Sequence, residues 1–570
     1  MNIRYILSQE QSHQQYLQIE VEFTVTSAVT EVHLPTWRPG RYEIGKFAKN
    51  IKGFKVFDPK GKVLHFKKTN TSTWAIETEG IQKIKVCYSY YAADLNGGST
   101  FLNQDQMYVN GVNCLVYTDE TVNDPCEMEL KIPENYIVAC NLKDENRVLK
   151  AKNFDQLVDS PFIASATIQH DSYTVNGVDF NIWIQGLEQI DWKKLKKDFT
   201  AFTKAQSDKF GEFPVDEYHF LFQITPYKAY HGVEHCASTV ILLGPTHDIF
   251  KGFYSELLGV SSHELYHTWN VKAIRPIEMF PYDFKKENFS SLGYLCEGVT
   301  TYMGDLFLYK SKVFTFDQYA LEMNKQLQKH FDNPGRFNLS VAESSHDTWL
   351  DGYEKGAPGR KVSIYTEGCL LAFVKDVRIL KATENKYGLD EVIRRLYFDL
   401  AAEGEGVSEE QYKAEIENIT GEDWTPFFKD YLHGTKGFEG ILTDSFEELG
   451  LELVHTASAL YSEAQIGIKT QQVGNHFVIT DMYTGSPADM SCLMLGDEII
   501  GINGNACQGE LEGWLNQYNH EEKHINLIRK GKIMEITLPE LQRTFFNTYS
   551  IKKLDKLTIP QERAFAAWSK

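Results

Sequence analysis

The chain lacks any apolar run long enough to cross a bilayer. No stretch approaches the roughly 18–20 residues that a membrane helix needs, so no membrane partner is expected. The opening Met1-Asn2-Ile3-Arg4-Tyr5-Ile6-Leu7-Ser8 has no apolar segment of the secretory type, and a cytoplasmic protein is the default expectation. Cysteines in ligand or redox spacing are missing too. The nine, Cys87, Cys114, Cys126, Cys140, Cys236, Cys296, Cys369, Cys492 and Cys507, are scattered and form no C-x-x-C. That excludes a thiolate metal site, and it fits reduced thiols packed as small hydrophobes better than a disulfide framework. Positive charge is scarce. Against 58 Lys and Arg stand 78 Asp and Glu, a formal net charge of -20. Phosphate is repelled by such a surface, so no nucleic-acid partner is expected. The same acidity favours cationic partners such as free peptide amino termini.

What is present suits a large globular protein. The 570 residues, 42% hydrophobic and 13% aromatic, allow three or four domains with real cores. Residues 1–168 read as β. Tyr16 to Val25, Ile84 to Tyr90 and Cys126 to Ile132 alternate apolar and polar, and Asp58-Pro59-Lys60-Gly61 is a turn signal. Short strands at this spacing predict a β-sandwich-like domain. Residues 169–440 mix strands and helices to about 270 and then turn helical. Strands are expected at Phe180–Ile184 and Tyr218–Ile224. Helices are expected at Trp192–Phe210, Gly368–Leu380 and Glu409–Ile419, the last capped by Ser408. Residues 452–545 form a separate small β-rich unit, and 546–570 a short tail. The fold class is therefore multidomain α+β.

The chemistry is concentrated in His263-Glu264-Leu265-Tyr266-His267. On a helix, residues i and i+4 share a face, so both imidazoles can reach one metal ion. Glu264, between them, points aside and can serve an activated water. The bland alternative is two helical histidines packing on a core or an exposed face. A zinc enzyme site needs three protein ligands and one open position. The best third ligand is Glu297, in Leu292-Gly293-Tyr294-Leu295-Cys296-Glu297-Gly298-Val299-Thr300. A lone acid in an apolar run is costly to bury unless paired or metal-bound; the alternative is an acid at a helix start.

The stretch from His263 through Trp269-Asn270-Val271-Lys272 to Pro276 resembles the signature of the glycyl aminopeptidase family of zinc metallopeptidases, of gluzincin type. Trp37-Arg38-Pro39-Gly40-Arg41-Tyr42, Phe47-Ala48-Lys49-Asn50, Val109-Asn110-Gly111 and Leu157 to Phe162 resemble its amino-terminal β domain. Gly485-Ser486-Pro487-Ala488 and Leu495 to Ile500 resemble its carboxy-terminal PDZ module. The resemblance implies a thermolysin-like catalytic domain binding one Zn2+ per chain through His263, His267 and Glu297. It implies Glu264 as the proton-transfer group. His231-Gly232-Val233-Glu234-His235 is similar to the family's Gly-Gly-Leu-Glu-His segment, which makes Gly232, Val233, Glu234 and His235 substrate-binding. Glu234 would pair with the free α-ammonium. His231 departs from the pattern where a glycine is expected and narrows the pocket. For the oxyanion donor, Tyr365 competes with Tyr353, which lies in Tyr353-Glu354-Lys355-Gly356-Ala357. Tyr365 is preferred because it precedes a buried helix, whereas Tyr353 runs into an exposed loop. The partners implied are peptides with a free amino terminus and small first residues, glycine or alanine, with a peptide carboxy terminus as a candidate ligand of the PDZ-like unit. Two other functions stay open: a zinc endopeptidase or oligopeptidase, and a non-catalytic peptide-binding scaffold.

Overall fold

The computed structural model describes residues 3–354 and 356–570, with Glu403 described by its backbone alone. It divides into two compact units. Met1–Tyr319, Pro334–Leu449 and Thr558–Lys570 form the first; Ala320–Asn333 and Gly450–Leu557 form the second.

The first unit begins with a β-rich region. In Tyr16–Thr24 every second residue is apolar, and Leu17, Ile19, Val21 and Phe23 are all buried. The alternation makes one face dry and the other wet. This strand joins a seven-stranded sheet, with three- and four-stranded sheets beside it, around a core that includes Tyr5, Trp74, Val86 and Leu115.

A five-stranded sheet follows, built from β1 (Gln169–Val175), β2 (Val178–Gln185), β3 (Glu217–Ile224), β4 (Ala229–Glu234) and β5 (Ser238–Gly244). Their order is β1-β2-β3-β5-β4. β2, β3 and β5 are parallel, and β4 lies antiparallel to β5 at the edge. β3 and β5 are covered on both faces, so they read as near-continuous apolar runs rather than alternations. Helix α1 (Trp192–Phe210) starts where the Asp191 carboxylate accepts the Lys194 N–H and stops at Gly211, whose φ is 87°. It packs Leu195, Phe199 and Phe202 into the core of this sheet. Helices α2 (Tyr254–Tyr266), α3 (Thr300–Lys310) and α4 (Ile364–Ala382) complete the region that carries the site. No described helix is long and apolar enough to cross a membrane, and all nine cysteines are free thiols.

The second unit holds a six-stranded sheet between Ile468 and Leu538, closed by helices Pro487–Met490 and Leu511–Gln517 over Ile479, Ile499, Ile525 and Leu527. A two-stranded ribbon pairs Leu451–Ala457 with Asn547–Lys553.

Residues 546–570 are not the tail that the sequence predicts. After the ribbon strand, helix Ile559–Trp568 returns to the first unit. The basic residues around it mask an apolar stripe at helical spacing, Ala564, Phe565 and Trp568, and Trp568 is 1% exposed. The Trp568 indole N–H donates to Tyr302 Oη at 2.8 Å.

Candidate metal centre

Helix α2 is apolar on most sides, with Leu257, Leu258, Val260, Leu265 and Tyr266 all buried. Burial fixes its polar side chains. His263 Nε2 and His267 Nε2 face each other at 3.0 Å. The helix ends at once, and the chain leaves helical geometry at Asn270 (φ -122°, ψ 92°). That kink turns the Asn270 carbonyl back to accept from His267 Nδ1 at 2.8 Å. A proton is thereby held on Nδ1, which makes Nε2 the nitrogen available to a metal. The Asn270 side-chain amide donates to the Leu295 carbonyl at 2.8 Å, tying this kink to the segment that bears the third acid.

Glu297 lies in a wide π-type turn, Tyr294–Val299, that runs into α3. Such turns recur at functional sites. Two glycines set its position. Gly298 and Gly368 of α4 meet backbone to backbone, and a Cβ on either would overlap the other. Glu297 Oε2 then stands 3.4 Å from His267 Nε2 and 3.8 Å from His263 Nε2. Its other oxygen accepts from Tyr42 Oη at 3.2 Å, a contact from 255 positions away.

The donor set fits a divalent ion. Ligand atoms about 2.0–2.2 Å from one tetrahedral zinc stand roughly 3.3–3.5 Å apart, and the three separations here, 3.0, 3.4 and 3.8 Å, straddle that value. The electrostatics agree. Burial pushes the Glu264 carboxyl well up, with Glu234 and Glu297 adding to it and His267 opposing. Burial likewise raises Glu297 against its bond to His267. Burial lowers the His267 ring but Glu297 outweighs it, to about 9, whereas burial and His267 together push His263 well down. Repulsion among carboxylates in a dry pocket is relieved by a cation at their centre.

Two carboxylates remain beside these ligands. Glu234 and Glu264 offer oxygens that lie within 4.8 Å of each other and of a His267 ring nitrogen. Glu264 Oε2 and Glu234 Oε1 are buried and have no hydrogen-bond partner. Glycines make room for both. A Cβ on Gly232 of β4 would overlap Glu264 Oε1, and a Cβ on Gly40 would overlap the Glu234 carboxylate. Both acids thus rest against backbone, one on the edge strand and one on the loop after Trp37.

The remaining sequence-predicted residues fall into two groups. Tyr365 and Tyr353, read as rivals, come together with their hydroxyl oxygens 3.4 Å apart. Burial and the nearby Glu297 push both phenols up. By contrast, the Val233 side chain lies toward Gly97, and His235 turns to Asp159, with Nδ1 3.1 Å from Oδ1. Asp159 also accepts from Cys236 N at 2.8 Å and from Lys272 Nζ at 2.8 Å. Sequence reasoning missed Tyr42 and Asp159 as individual residues. The only signal was that each sits inside a segment already singled out for its resemblance, and no local spacing reveals their distant contacts.

Residues 4–166 match the family model for the Peptidase M61 N-terminal domain, and residues 256–371 match that for M61 glycyl aminopeptidase. No curated protein matches the chain. Among solved structures, an aminopeptidase N family protein from Idiomarina loihiensis is similar over 100% of both chains, with 23% identity and a TM-score of 0.91. An M1 zinc metallopeptidase variant from Deinococcus radiodurans bound to a Tyr-Ser-Ala substrate is 12% identical, with 76% of this chain and 94% of that one covered and a TM-score of 0.47.

Proposed function

Since the chain belongs to the M61 glycyl aminopeptidase family and is a metallo-aminopeptidase, we propose that it removes amino-terminal residues, small ones first, from peptides with one zinc ion per chain. The observation that carries this reading is the convergence of His263, His267 and Glu297 beside two partnerless carboxylate oxygens. Three ligands hold the ion; two acids are left to handle a proton and an ammonium.

Bound zinc supplies Lewis acidity, which polarises a carbonyl and makes water acidic at neutral pH. Everything else is done by the chain. Glu264 takes the attacking water's proton and later returns it to the leaving amine. Glu234 pairs with the free α-ammonium, so that only a chain end fits; an internal residue leaves this buried carboxylate unpaired. Gly232 and Val233 offer backbone groups along the edge of β4, where an extended peptide adds as a further strand. His235 acts at one remove, since it braces the end of β4 against Asp159. Tyr365 donates to the carbonyl oxygen as charge develops there. For its neighbour, the 3.4 Å contact supports a supporting role, with Tyr353 orienting the Tyr365 hydroxyl.

We further propose that residues 1–168 form the amino-terminal β domain and 169–440 a thermolysin-like catalytic domain. Residues 452–545 are read as a PDZ-like domain open to a peptide carboxy terminus. The protein is assigned to the cytoplasm.

The decisive test is hydrolysis of a glycine amide-type chromogenic substrate beside its N-acetylated twin, with zinc content measured. Cleavage of the free amine alone is the expected result. Cleavage of both moves the assignment to an endopeptidase, and cleavage of neither, nor of a panel of other first residues, to a binding scaffold. Tyr365→Phe is expected to lower kcat by about 100- to 1,000-fold, the effect of losing one oxyanion donor, and Tyr353→Phe by less. The reverse order would exchange the two roles.

A further inference from the structure

We propose that Arg38 is a specificity-determining residue whose guanidinium receives a carboxylate of the substrate. The inference rests on Glu234 as the anchor of the amino terminus.

Arg38 is 5% exposed, and its Nη1 is buried without a hydrogen-bond partner. Among the described residues it makes no ion pair, whereas the neighbouring Arg41 is held by Glu43. Its guanidinium lies over Gly98, where a Cβ would overlap it. Nη2 meets His231 Nε2 at 3.4 Å, but that contact does not satisfy it. The Gly97 N–H donates to His231 Nδ1 at 3.2 Å. A neutral imidazole has one acceptor nitrogen, and burial with Arg38 and Arg41 holds this ring neutral by lowering it to about 3. The ring proton therefore sits on Nε2. Two donors, Nη2–H and Nε2–H, face each other with no acceptor between them. A carboxylate, which accepts on two oxygens, is the group that completes such a fork.

The position suits a substrate. His231 is on the edge strand β4, three residues before Glu234. A strand rises about 3.3 Å per residue, so the two lie roughly 10 Å apart along it. An extended tripeptide spans about the same length. A short peptide anchored at Glu234 and laid along β4 brings its terminal carboxylate to His231 and Arg38. Arg38 is also two residues from Gly40, which abuts the Glu234 carboxylate. A side-chain carboxylate on the first residue is a second source of the same group. Arg38 further lines a cavity of about 200 Å³, where Glu43 and Asp94 stand beside Arg41 and Lys49 and Glu43 pairs with Arg41.

The test compares kcat/KM for the wild type, R38M and R38K on two substrate pairs. One pair is trialanine and its carboxy-terminal amide. The other is aspartyl-alanine amide and asparaginyl-alanine amide. In one pair the wild type should prefer the carboxylate by about 10- to 100-fold, the worth of a charge-assisted bond in a dry site. R38M should abolish that preference and R38K restore part of it. A preference in the tripeptide pair identifies the chain terminus, and one in the aspartyl pair identifies the side chain. Three results overturn the proposal: no preference in either pair, an equal preference in R38M, or R38M slowing the carboxylate-free substrates as much. If zinc-loaded wild type cleaves none of the four, the aminopeptidase reading itself falls, and this inference with it.

Discussion

Glu264→Gln is expected to lower kcat by about 1,000- to 10,000-fold with zinc content unchanged. A positioned base that both accepts and returns the proton contributes at the upper end of the range for proton-transfer groups, here about 4–5 kcal/mol of barrier. Glutamine keeps the shape of the side chain, so its packing against Gly232 survives. It keeps none of the basicity. The three ligands are untouched, which separates loss of proton transfer from loss of metal. The stability change should have the opposite sign to the activity change. Burial and the neighbouring Glu234 and Glu297 make a charged Glu264 costly, so a neutral amide relieves the pocket. With zinc stripped from both proteins, the variant should therefore melt no lower than the wild type. A variant that keeps a tenth of wild-type kcat, or that loses its metal, would sink the assignment.

Asp159→Ala should destabilise the first unit by about 3–5 kcal/mol, the cost of stripping a buried ion pair of one partner. The Lys272 side chain is 1% exposed and the Asp159 side chain 12%. Lys272 leads out of the kink after His267, and Asp159 leads out of the amino-terminal β region, so their bond clamps one to the other beside the end of β4. Burial alone would raise the Asp159 carboxyl; Lys272 and His235 outweigh it and hold it well below the usual carboxylate range. A depressed carboxyl stabilises above its unfolded value, near 4, and the gain is lost as pH falls below that toward the depressed value. Between pH 5 and 8 the deficit of the variant should thus be constant, and it should shrink under acid. Asp159→Ala with Lys272→Met removes both charges and should recover most of the loss. Equal melting of the wild type and Asp159→Ala at pH 7 would refute the clamp.

The local signals in the sequence were legible. Spacing of i and i+4 needs only one helix to bring His263 and His267 together, and a lone acid in an apolar run pointed to Glu297. Trp192–Phe210 is helical with the bounds expected of it. Ser408 caps Glu409–Thr420 in a box with Gln411. What was not legible depends on distant packing. Tyr353 is 46% exposed, as its loop predicts, yet its hydroxyl reaches Tyr365. An amphipathic side chain has two ends, and chain-local reasoning sees only its average. Arg38, Tyr42 and Asp159 meet their partners from the β region, and no periodicity links residues that lie 76 to 255 positions apart. The closing helix was hidden because lysines near it suggested solvent.

That helix has a consequence for biogenesis. The second unit is spliced into the first, so Ile559–Trp568 is synthesised after it. Trp568 covers Tyr302, whose hydroxyl in turn donates to Asp376 of α4 at 2.5 Å. A nascent chain that has made every ligand still exposes this buried phenol and carboxylate to water. The core around the site closes only once Ile559–Trp568 has been made, so a chain cut short after the second unit cannot finish it.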